Sequence, residues 1–414
     1  MAPEVASGDS RLEVVPSACF GHLCLHPWTF VRSATGVPVR LAVYTDYVYK
    51  QRDSAIYAQR AFALFLARLG GEVERLTITG RLDPEPGESY YRLPDDVEFV
   101  PLPHYESLAR PLSAVPAMVR SLGRFWSLLG RVDGAWLLGP YPLSFVFVLL
   151  AALRRKRVFL GVRQDWPTYV RSRHPGSRPL HVVAWLMEAA WRGYARLFPV
   201  VVVGPELAQN YRHARAVLPV TVAMVDEDQI APPREGQGGF TALSVGRLET
   251  EKNPLLLADI LAGLVARDPR WRLVVAGEGP MRPELEERLA ELGVSEHADL
   301  RGYVPVDGGL HDLYRESDFF LHVSWTEGLP QVIFEAFAAR LPVVATAVGG
   351  VPDAAGDAAL LVEAGSAPAA VDALTRMAED AALRERLVEE GVAQVRRHTT
   401  AREVRRVAEF FGAA

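Results

Sequence analysis

One strand–helix–strand unit stands out in residues 318–350, which read DFFLHVSWTEGLPQVIFEAFAARLPVVATAVGG. Its two ends, 318–324 and 342–348, are short runs rich in β-branched and aromatic residues, as is typical of buried strands. Between them, Pro330 suits the first turn of a helix that we predict to extend to about Ala339. This succession predicts a parallel βαβ unit.

The same alternation continues on both sides of this unit. Towards the C-terminus we predict a strand at 359–362 and further helices. Towards the N-terminus we predict a helix near 54–69, among others, and the following strands: VRLAVY (39–44), VERLTIT (73–79), VEFVPL (97–102), AWLLG (135–139), RVFLGV (157–162), PVVVVG (199–204), FTALSVGRL (240–248), WRLVVAG (271–277) and ADLRGYV (298–304).

The length and one break in the pattern predict two domains. A chain of 414 residues is too long for one ordinary core, and APPREGQGG at 231–239 interrupts the alternation with proline and glycine. We therefore predict an α/β protein with two doubly wound domains, 39–233 and 237–399. Such sheets bind ligands at the carboxyl ends of their strands, here in the cleft between the domains.

Residues 1–38 show no hydrophobic periodicity, and we predict a poorly ordered N-terminal extension. It contains Cys19, His22, Cys24 and His26. Structural zinc sites usually join two ligand pairs across a longer spacer than this segment leaves, so we predict no metal there.

The composition, 49% hydrophobic and 23% charged, is that of a globular protein. The longest apolar run, Phe145–Leu153, is about half the length that a bilayer span needs. Two cysteines are too few for a disulfide framework, and no signal peptide is visible. We therefore expect the protein to reside in the cytoplasm.

Two glutamates flank the start of the predicted helix. Glu327 precedes it, and Glu335 lies about a turn and a half inside it, roughly 7 Å further along the axis. The free N–H groups of the helix start, next to Gly328, Leu329 and Pro330, favour an anion such as a diphosphate. Carboxylates offset in this way can reach hydroxyl groups at two ends of one extended ligand.

Two cations follow the strand at 240–248. After Gly246 come Arg247 and Lys252, on the turn into the next helix and at the mouth of the same sheet. Arginine forks onto phosphate oxygens, and lysine supplies a compact charge. Neutralising a departing diphosphate is the main electrostatic task in breaking a sugar–phosphate bond. We therefore predict a catalytic role for both cations.

These segments resemble a known family. GRLETEKN (246–253), AGEGP (276–280), RGYV (301–304) and EGLPQVIFEAFAARLPVVATAVGG (327–350) are similar to the retaining GT-B glycosyltransferases of sequence family four, the glycosyl transferases group 1. The resemblance is close over about residues 240–396 and weak before them. It implies two Rossmann-like domains that face a cleft, with the last helix, 400–414, packed back onto the N-terminal domain.

The resemblance also implies roles for the charged residues. Glu327 would contact the donor sugar and Glu335 would hold the nucleotide ribose. Arg247 and Lys252 would grip the diphosphate. The family normally needs no metal, so we expect no cofactor besides the nucleotide-diphosphate sugar, which is a co-substrate.

The sites for the base and the acceptor are less well marked. In the family, backbone groups meet the nucleotide base at positions that match Tyr303 and Val304. A His-Asp pair often follows a middle strand of the N-terminal domain, where this chain has Gln164 and Asp165 after Arg163. These three residues are the candidate acceptor residues, and Asp165 fits a helix cap equally well.

We interpret three further features as structural rather than catalytic. The triplet Asp226–Asp228 matches the acid-x-acid pattern of metal-dependent sugar transferases, but it lies beside the domain junction, so we predict a solvated linker. AGEGP lacks the third glycine of a dinucleotide fingerprint. His322 lies on a strand, and we interpret it as a core histidine rather than a base.

Basic residues concentrate in the N-terminal half. The whole chain has a net charge of −5, but residues 110–196 hold 14 basic and 3 acidic residues. The segment is either a solvated basic face or a surface that docks onto anionic lipid at the inner face of the membrane. RSLGRFWSLL at 120–129 is basic and amphipathic, which favours lipid. No nucleic-acid-binding module accompanies the charge, so we expect no nucleic-acid partner.

Together these features predict a retaining glycosyltransferase that uses a nucleotide-diphosphate sugar. Its acceptor is a saccharide, a lipid-linked compound or a small molecule. Two alternatives remain: a nucleotide-sugar 2-epimerase of the same fold and a catalytically silent nucleotide-sugar-binding scaffold. The intact set of Arg247, Lys252, Glu327 and Glu335 favours catalysis.

Overall fold

The computed structural model describes residues 39–85, 91–106, 110–233, 239–305 and 309–413, which belong to one compact unit. The predicted extension 1–38, with its cysteines and histidines, lies outside the described residues. Two α/β lobes make up the described chain, each built on its own sheet. The two doubly wound domains predicted from the sequence are therefore confirmed.

The sheet of the N lobe has nine described strands. Seven run parallel in the order β5-β3-β1-β6-β7-β8-β9, and β2 and β4 add an antiparallel ribbon to the second half of β1. The strands are β1 (Arg40–Arg52), β2 (Ala55–Ala58), β3 (Arg75–Asp83), β4 (Tyr91–Arg92), β5 (Glu98–Pro103), β6 (Gly134–Gly139), β7 (Arg157–Val162), β8 (Val200–Val203) and β9 (Val217–Val220).

The ribbon corrects one prediction. The helix expected near 54–69 begins only at Phe62, because Ala55–Ala58 pair antiparallel with Tyr49–Arg52. Asp53 and Ser54 both have positive φ, 47° and 69°. Two such residues between paired strands form the tight turn whose twist matches that of a hairpin. Helical periodicity in this segment gave no sign of the turn.

Helices cover both faces of this sheet. α2, α3 and α5 pack on one face around the buried rings of Phe125, Phe147 and Trp191. The helices of the lobe are α1 (Phe62–Arg68), α2 (Pro111–Leu129), α3 (Pro142–Leu153), α4 (Trp166–Arg173), α5 (Arg178–Ala195) and α6 (Pro205–Gln209).

The sheet of the C lobe has six described strands, all parallel, in the order β12-β11-β10-β13-β14-β15. The strands are β10 (Thr241–Val245), β11 (Arg272–Ala276), β12 (Ala298–Gly302), β13 (Phe319–His322), β14 (Val343–Thr346) and β15 (Ala359–Val362). The chain leaves β10 towards one edge of the sheet and returns beside it as β13. This reversal marks the place where open α/β sheets bind ligands.

Eight further helices follow in chain order. They are α7 (Leu255–Arg267), α8 (Arg282–Glu291), α9 (Leu310–Glu316), α10 (Gln331–Ala338), α11 (Val351–Ala355), α12 (Ala367–Glu379), α13 (Ala381–Arg397) and α14 (Thr400–Ala413). Short 3₁₀ turns occur at Leu69–Gly71, Glu227–Gln229, Thr250–Lys252 and Ser295–His297. Among all the residues that the structure describes, no helix combines the length and apolarity that crossing a bilayer requires.

The last helix packs against the N lobe. The ring of Phe411 lies 5.2 Å from that of Trp136 and 4.4 Å from that of Phe159, centroid to centroid. Val404 and Val407 are buried in the same cluster. These contacts cover the sheet face opposite to α2, α3 and α5.

Asp226 joins the segments that cross between the lobes, which corrects the prediction of a solvated linker at this residue. Glu227 and Asp228 are exposed, as that prediction expects. The carboxylate of Asp226 pairs with Arg68 of α1 and accepts a hydrogen bond from the backbone N–H of Ala401, at 2.9 Å. Beside it, the N–H of Thr400 donates to the carbonyl of Val225, also at 2.9 Å. The start of α14 is thereby tied to the chain segment that leaves the N lobe.

Candidate active site in the cleft between the lobes

A cavity of about 590 Å³ lies between the two lobes. Such a volume is in the range of small-molecule binding sites. The cavity brings together every site residue predicted from the sequence: Arg163, Gln164, Asp165, Gly246, Arg247, Lys252, Tyr303, Val304, Glu327, Gly328, Leu329, Pro330 and Glu335.

Glu327 is the centre of a polar cluster on the C-lobe wall. Its Oε1 atom accepts a hydrogen bond from the ammonium of Lys252 and one of 2.7 Å from Ser324 Oγ. His322 Nε2 lies 2.9 Å from the same oxygen. The ends of β10 and β13 thus place a cation, an imidazole and a hydroxyl on one carboxylate.

The cluster keeps Glu327 ionised. Burial by itself opposes the charged form, but His322 and Lys252 outweigh it and hold the pKa of Glu327 at about 2. A buried carboxylate of this kind is a fixed negative charge at neutral pH. It can orient a ligand that becomes positive, but it is a poor proton acceptor.

Two glycines fix the backbone of the Glu327 loop. A Cβ atom on Gly349, which has φ of +48°, would lie 2.0 Å from the carbonyl oxygen of Glu327. A Cβ on Gly350 would lie 1.9 Å from the carbonyl oxygen of Gly328. Both distances are far inside van der Waals contact, so the turn after β14 can approach the loop only without side chains.

Glu335 lies deeper in the cavity wall, on α10. Burial raises its pKa, against a 2.8 Å hydrogen bond from the hydroxyl of Tyr314, which lowers it. The carboxyl group is therefore held by one phenol, and its burial disfavours the charged form. Further donors, such as the two hydroxyls of a ribose, would stabilise its charged form.

The guanidinium of Arg247 contacts the carboxylates of Glu249 and Glu251. It pairs with Glu249 and lies 3.5 Å from Glu251. Arg173 of α4 lies 3.2 Å from each of the same two carboxylates. The acidic pair therefore links an arginine of the N lobe to the predicted diphosphate ligand of the C lobe.

The start of α10 faces the cavity next to the N lobe. Pro330 caps the helix, and its first N–H groups follow the loop that contains Gly328. A Cβ on Gly328 would lie 3.6 Å from the carbonyl oxygen of Arg163 in the N lobe. Leu329 packs against the hydrophobic clusters of both lobes. The helix start is thus positioned by contacts with both lobes.

The N-lobe wall carries the candidate acceptor residues. Asp165 caps α4, because its Oδ1 accepts a 2.9 Å hydrogen bond from the N–H of Thr168. The guanidinium of Arg163 lies 4.2 Å from the ring centre of Phe62, and burial lowers its pKa to about 10. Its Nε has no hydrogen-bond partner among the described residues. Gln164 lines the same wall of the cavity.

Several site residues escaped the sequence interpretation. His322 is buried, as predicted for a core histidine, but it also lines the cavity beside Glu327. Its position at the carboxyl end of a strand is the sequence feature that indicates a place in the binding cleft. Glu249 and Glu251 carry no signal in the sequence, because their partner Arg173 is remote in the chain. Among the described residues no cluster of three potential metal ligands occurs, and the absence of a metal stays a prediction.

Comparison with known proteins agrees with this geometry. Over residues 225–394 the chain matches the family model described as Glycosyl transferases group 1. It is 24% identical over 342 residues to the sulfoquinovosyl transferase SQD2 of Arabidopsis thaliana, which covers 76% of this chain and 61% of that protein. The chain spans smaller shares, 32% and 39%, of two other curated relatives.

Solved structures show the same fold over almost the whole chain. Sucrose-phosphate synthase from Thermosynechococcus elongatus superposes with a TM-score of 0.69 at 17% identity, covering 91% of this chain and all of that one. Alr3699/HepE from Anabaena, solved in complex with UDP, superposes with a TM-score of 0.68 at 13% identity and the same coverage. The chain therefore has the GT-B fold, and its residues 225–394 match the glycosyl transferases group 1.

Proposed function

We propose that the protein transfers a sugar from a nucleotide-diphosphate sugar to an acceptor hydroxyl, with retention of the anomeric configuration. The observation that carries the proposal is the Lys252–Glu327 pair at the start of α10. It lies with Arg247 at the reversal between β10 and β13, in a cavity walled by both lobes.

The donor half of the cavity fits a nucleoside diphosphate. Arg247, Lys252 and the free N–H groups of α10 converge on the place where a diphosphate would be neutralised. Glu335 would accept hydrogen bonds from the ribose, and Tyr303 and Val304 would border the base. The Anabaena structure contains UDP, which makes UDP the first nucleotide to test.

In the proposed reaction the bond between the anomeric carbon and the phosphate oxygen breaks. The acceptor oxygen forms the new bond from the same face of the sugar, and its proton passes to the leaving phosphate. Glu327, a fixed negative charge, orients the sugar while positive charge builds on the ring. Among the described residues that line the N-lobe wall, Asp165 is the one carboxylate, and it caps α4. This arrangement favours proton transfer to the leaving group and hence retention.

For the acceptor and for the cellular location we propose only a class. Arg163, Gln164 and Asp165 border the side from which a saccharide, a lipid-linked acceptor or a small molecule would enter. Arg163 faces this side without an acidic partner among the described residues, which suits an acceptor that carries negative charge. We propose that the protein acts in the cytoplasm, at the inner face of a membrane, without a metal cofactor.

A panel of nucleoside diphosphates in a thermal-unfolding assay tests the donor site. A ligand at 100 times its dissociation constant stabilises the fold by about 2.7 kcal/mol. The nucleotide that raises the Tm most is then supplied as its sugar conjugates with candidate acceptors. A glycosylated product with retained configuration supports the proposal. Isomerised donor without transfer identifies an epimerase, and binding without either reaction identifies a scaffold.

A further inference from the structure

The outer side of the helix layer α2, α3 and α5 is apolar. Leu112 of α2 is 94% exposed, and Trp185 of α5 is 61% exposed. Large exposed apolar patches mark sites of interaction. The helix-layer face, as we name this surface, comprises Leu112, Val115, Val119, Leu149, Leu153, Leu180, Val182, Val183, Trp185, Leu186 and Leu197.

This face differs from the one suggested by the sequence. In the segment 120–129, Phe125, Leu128 and Leu129 are buried in the core and cannot reach a partner. Trp126 lies under the guanidinium of Arg154, 3.9 Å from it. The exposed apolar residues of α2 are Leu112, Val115 and Val119, which precede this segment, and the largest group is on α5.

α5 turns an uncharged surface outward. Its buried residues are Ala184, Glu188, Trp191 and Ala195, which share one side of the helix. Between His181 and Arg192 the one charged residue is Glu188, and it points inward. A surface helix of a globular protein normally carries polar residues on the side opposite its core stripe. Here that side is apolar.

The segment that forms this face is rich in basic residues. All three acids between residues 110 and 196 are engaged: Asp133 with Arg40, Asp165 in the cap of α4, and Glu188 with Tyr211 and Arg192. Several basic residues of the same segment form no ion pair with the described acids: Arg120, Arg154, Arg155, Lys156, Arg178 and Arg196. An apolar surface with a basic rim complements an anionic bilayer.

A basic pocket adjoins the end of α5. Its volume is about 260 Å³, and its lining includes Arg192, Arg196, Arg212 and His213. Arg192 and Arg196 are seven and eleven residues beyond Trp185, so the three side chains lie along one edge of the helix. Of the nearby acids, Glu188 is buried and already shared with Tyr211. The pocket therefore suits a phosphate group.

We propose that the helix-layer face docks onto an anionic bilayer, with a lipid phosphate in the pocket at the end of α5 and with Trp185 and Leu186 among the acyl chains. A second copy of this chain is a poorer occupant, because two such faces would bring like charges together. The proposal does not rest on sugar transfer, since membrane binding is measured without turnover.

Sedimentation with vesicles tests the proposal. The full chain is expected to bind phosphatidylcholine vesicles that contain phosphatidylglycerol, and to stay in the supernatant with phosphatidylcholine alone. Each basic residue near an anionic surface contributes about fivefold to the partition coefficient, so Arg196→Gln with Arg212→Gln should lower it by about 20-fold or more. Leu186→Glu should lower it by about tenfold or more, because it places a charge among the acyl chains.

Matched changes on the C lobe serve as controls. Arg386→Gln with Arg397→Gln removes the same charge from α13, and Ala382→Glu adds the same acid there. Both should bind vesicles like the unmodified protein. A thermal-unfolding curve for each variant checks that its fold is intact.

Three results would overturn the proposal. The first is equal binding to both kinds of vesicle, or binding to neither at low salt. The second is a concentration-dependent dimer, seen by sedimentation equilibrium, that Leu186→Glu disperses while vesicle binding stays absent. The third is a protein that binds no vesicles but is stabilised by inorganic phosphate, with the stabilisation lost when Arg196 and Arg212 are replaced. That result would make the pocket a site for a free anion.

Discussion

Arg173 of the N lobe pairs with Glu249 of the C lobe across the cleft, with 3.2 Å between the guanidinium nitrogen and the carboxylate oxygen. Glu249 also holds Arg247, the proposed diphosphate ligand. One carboxylate is thus shared by an arginine from each wall. The freedom of Arg247 to bind an anion therefore depends on how the lobes are arranged.

Removal of Arg173 should weaken nucleotide binding. In Arg173→Ala, Glu249 and Glu251 lose one of their two arginines and should hold Arg247 more tightly. Partly exposed ion pairs contribute about 0.2–1 kcal/mol, so we expect the Kd for a nucleoside diphosphate to rise by at most about fivefold. Calorimetric titration measures the change.

Two variants control this experiment. Glu249→Gln in the Arg173→Ala background should restore much of the affinity, because it releases Arg247. Arg171→Ala removes an exposed arginine from the same helix and should leave the Kd unchanged. A loss of equal size in Arg171→Ala would assign the effect to charge alone.

Substitution of either cation at the sheet mouth should strongly lower transfer. Arg247→Ala and Lys252→Ala are each expected to reduce kcat by about 10²-fold, because each removes charge that stabilises the leaving diphosphate. Lys252→Ala has a second effect. Without the ammonium, the pKa of Glu327 should rise, so the acid limb of the rate profile should move to higher pH. Near-normal turnover in both variants would remove them from the mechanism.

The two glutamates should differ in their kinetic signatures. Glu335→Ala is expected to raise the Kd for the donor, by about 1–3 kcal/mol for hydrogen bonds that are no longer made. Glu327→Ala should instead lower kcat, because its contact with the sugar matters most as the bond breaks. Steady-state kinetics with direct binding measurements separate the two effects. The opposite partition would mean that the two roles are exchanged.

The pKa of Glu327 links stability to acid pH. It is about 2 in the folded protein, against an ordinary value of 4.5, so the unfolded chain takes up a proton at a higher pH than the folded one. The resulting stability is complete above pH 4.5 and is lost as the pH falls towards 2, an effect on the order of 3 kcal/mol. Urea unfolding across this range should show the loss. Glu327→Gln should lack this part of the pH dependence.

The triplet Asp226–Asp228 should not act through a metal. Transfer is expected to survive excess chelator, and Asp228→Asn should be almost silent. Asp226→Asn should lower the free energy of unfolding by about 1–3 kcal/mol, because it weakens the bonds to Arg68 and Ala401. Activity that disappears with chelator and returns with magnesium would overturn the prediction.

Sequence patterns were sufficient to predict the fold and to nominate the residues that line the cavity. Glu327, Arg247 and Lys252 each follow a strand whose periodicity is plain, and parallel strands deliver their following loops to one edge of the sheet. The same logic, applied to His322, would have placed it beside Glu327.

Pairings between distant segments could not be predicted in this way. Nothing near Arg173 in the sequence points to Glu249, because their approach depends on how the two lobes meet. The sequence does not predict the turn at Asp53 and Ser54, because hairpin turns of this type usually contain glycine and this one does not.

The packing of α14 has a consequence for the order of folding. During synthesis the N lobe emerges first, yet the face that contains Trp136 and Phe159 is covered by Val404, Val407 and Phe411. The lobe that is made first therefore waits for residues that are made after the whole C lobe. Until α14 has been synthesised, the nascent chain holds an N lobe with one apolar side open, and the two lobes mature together rather than in succession.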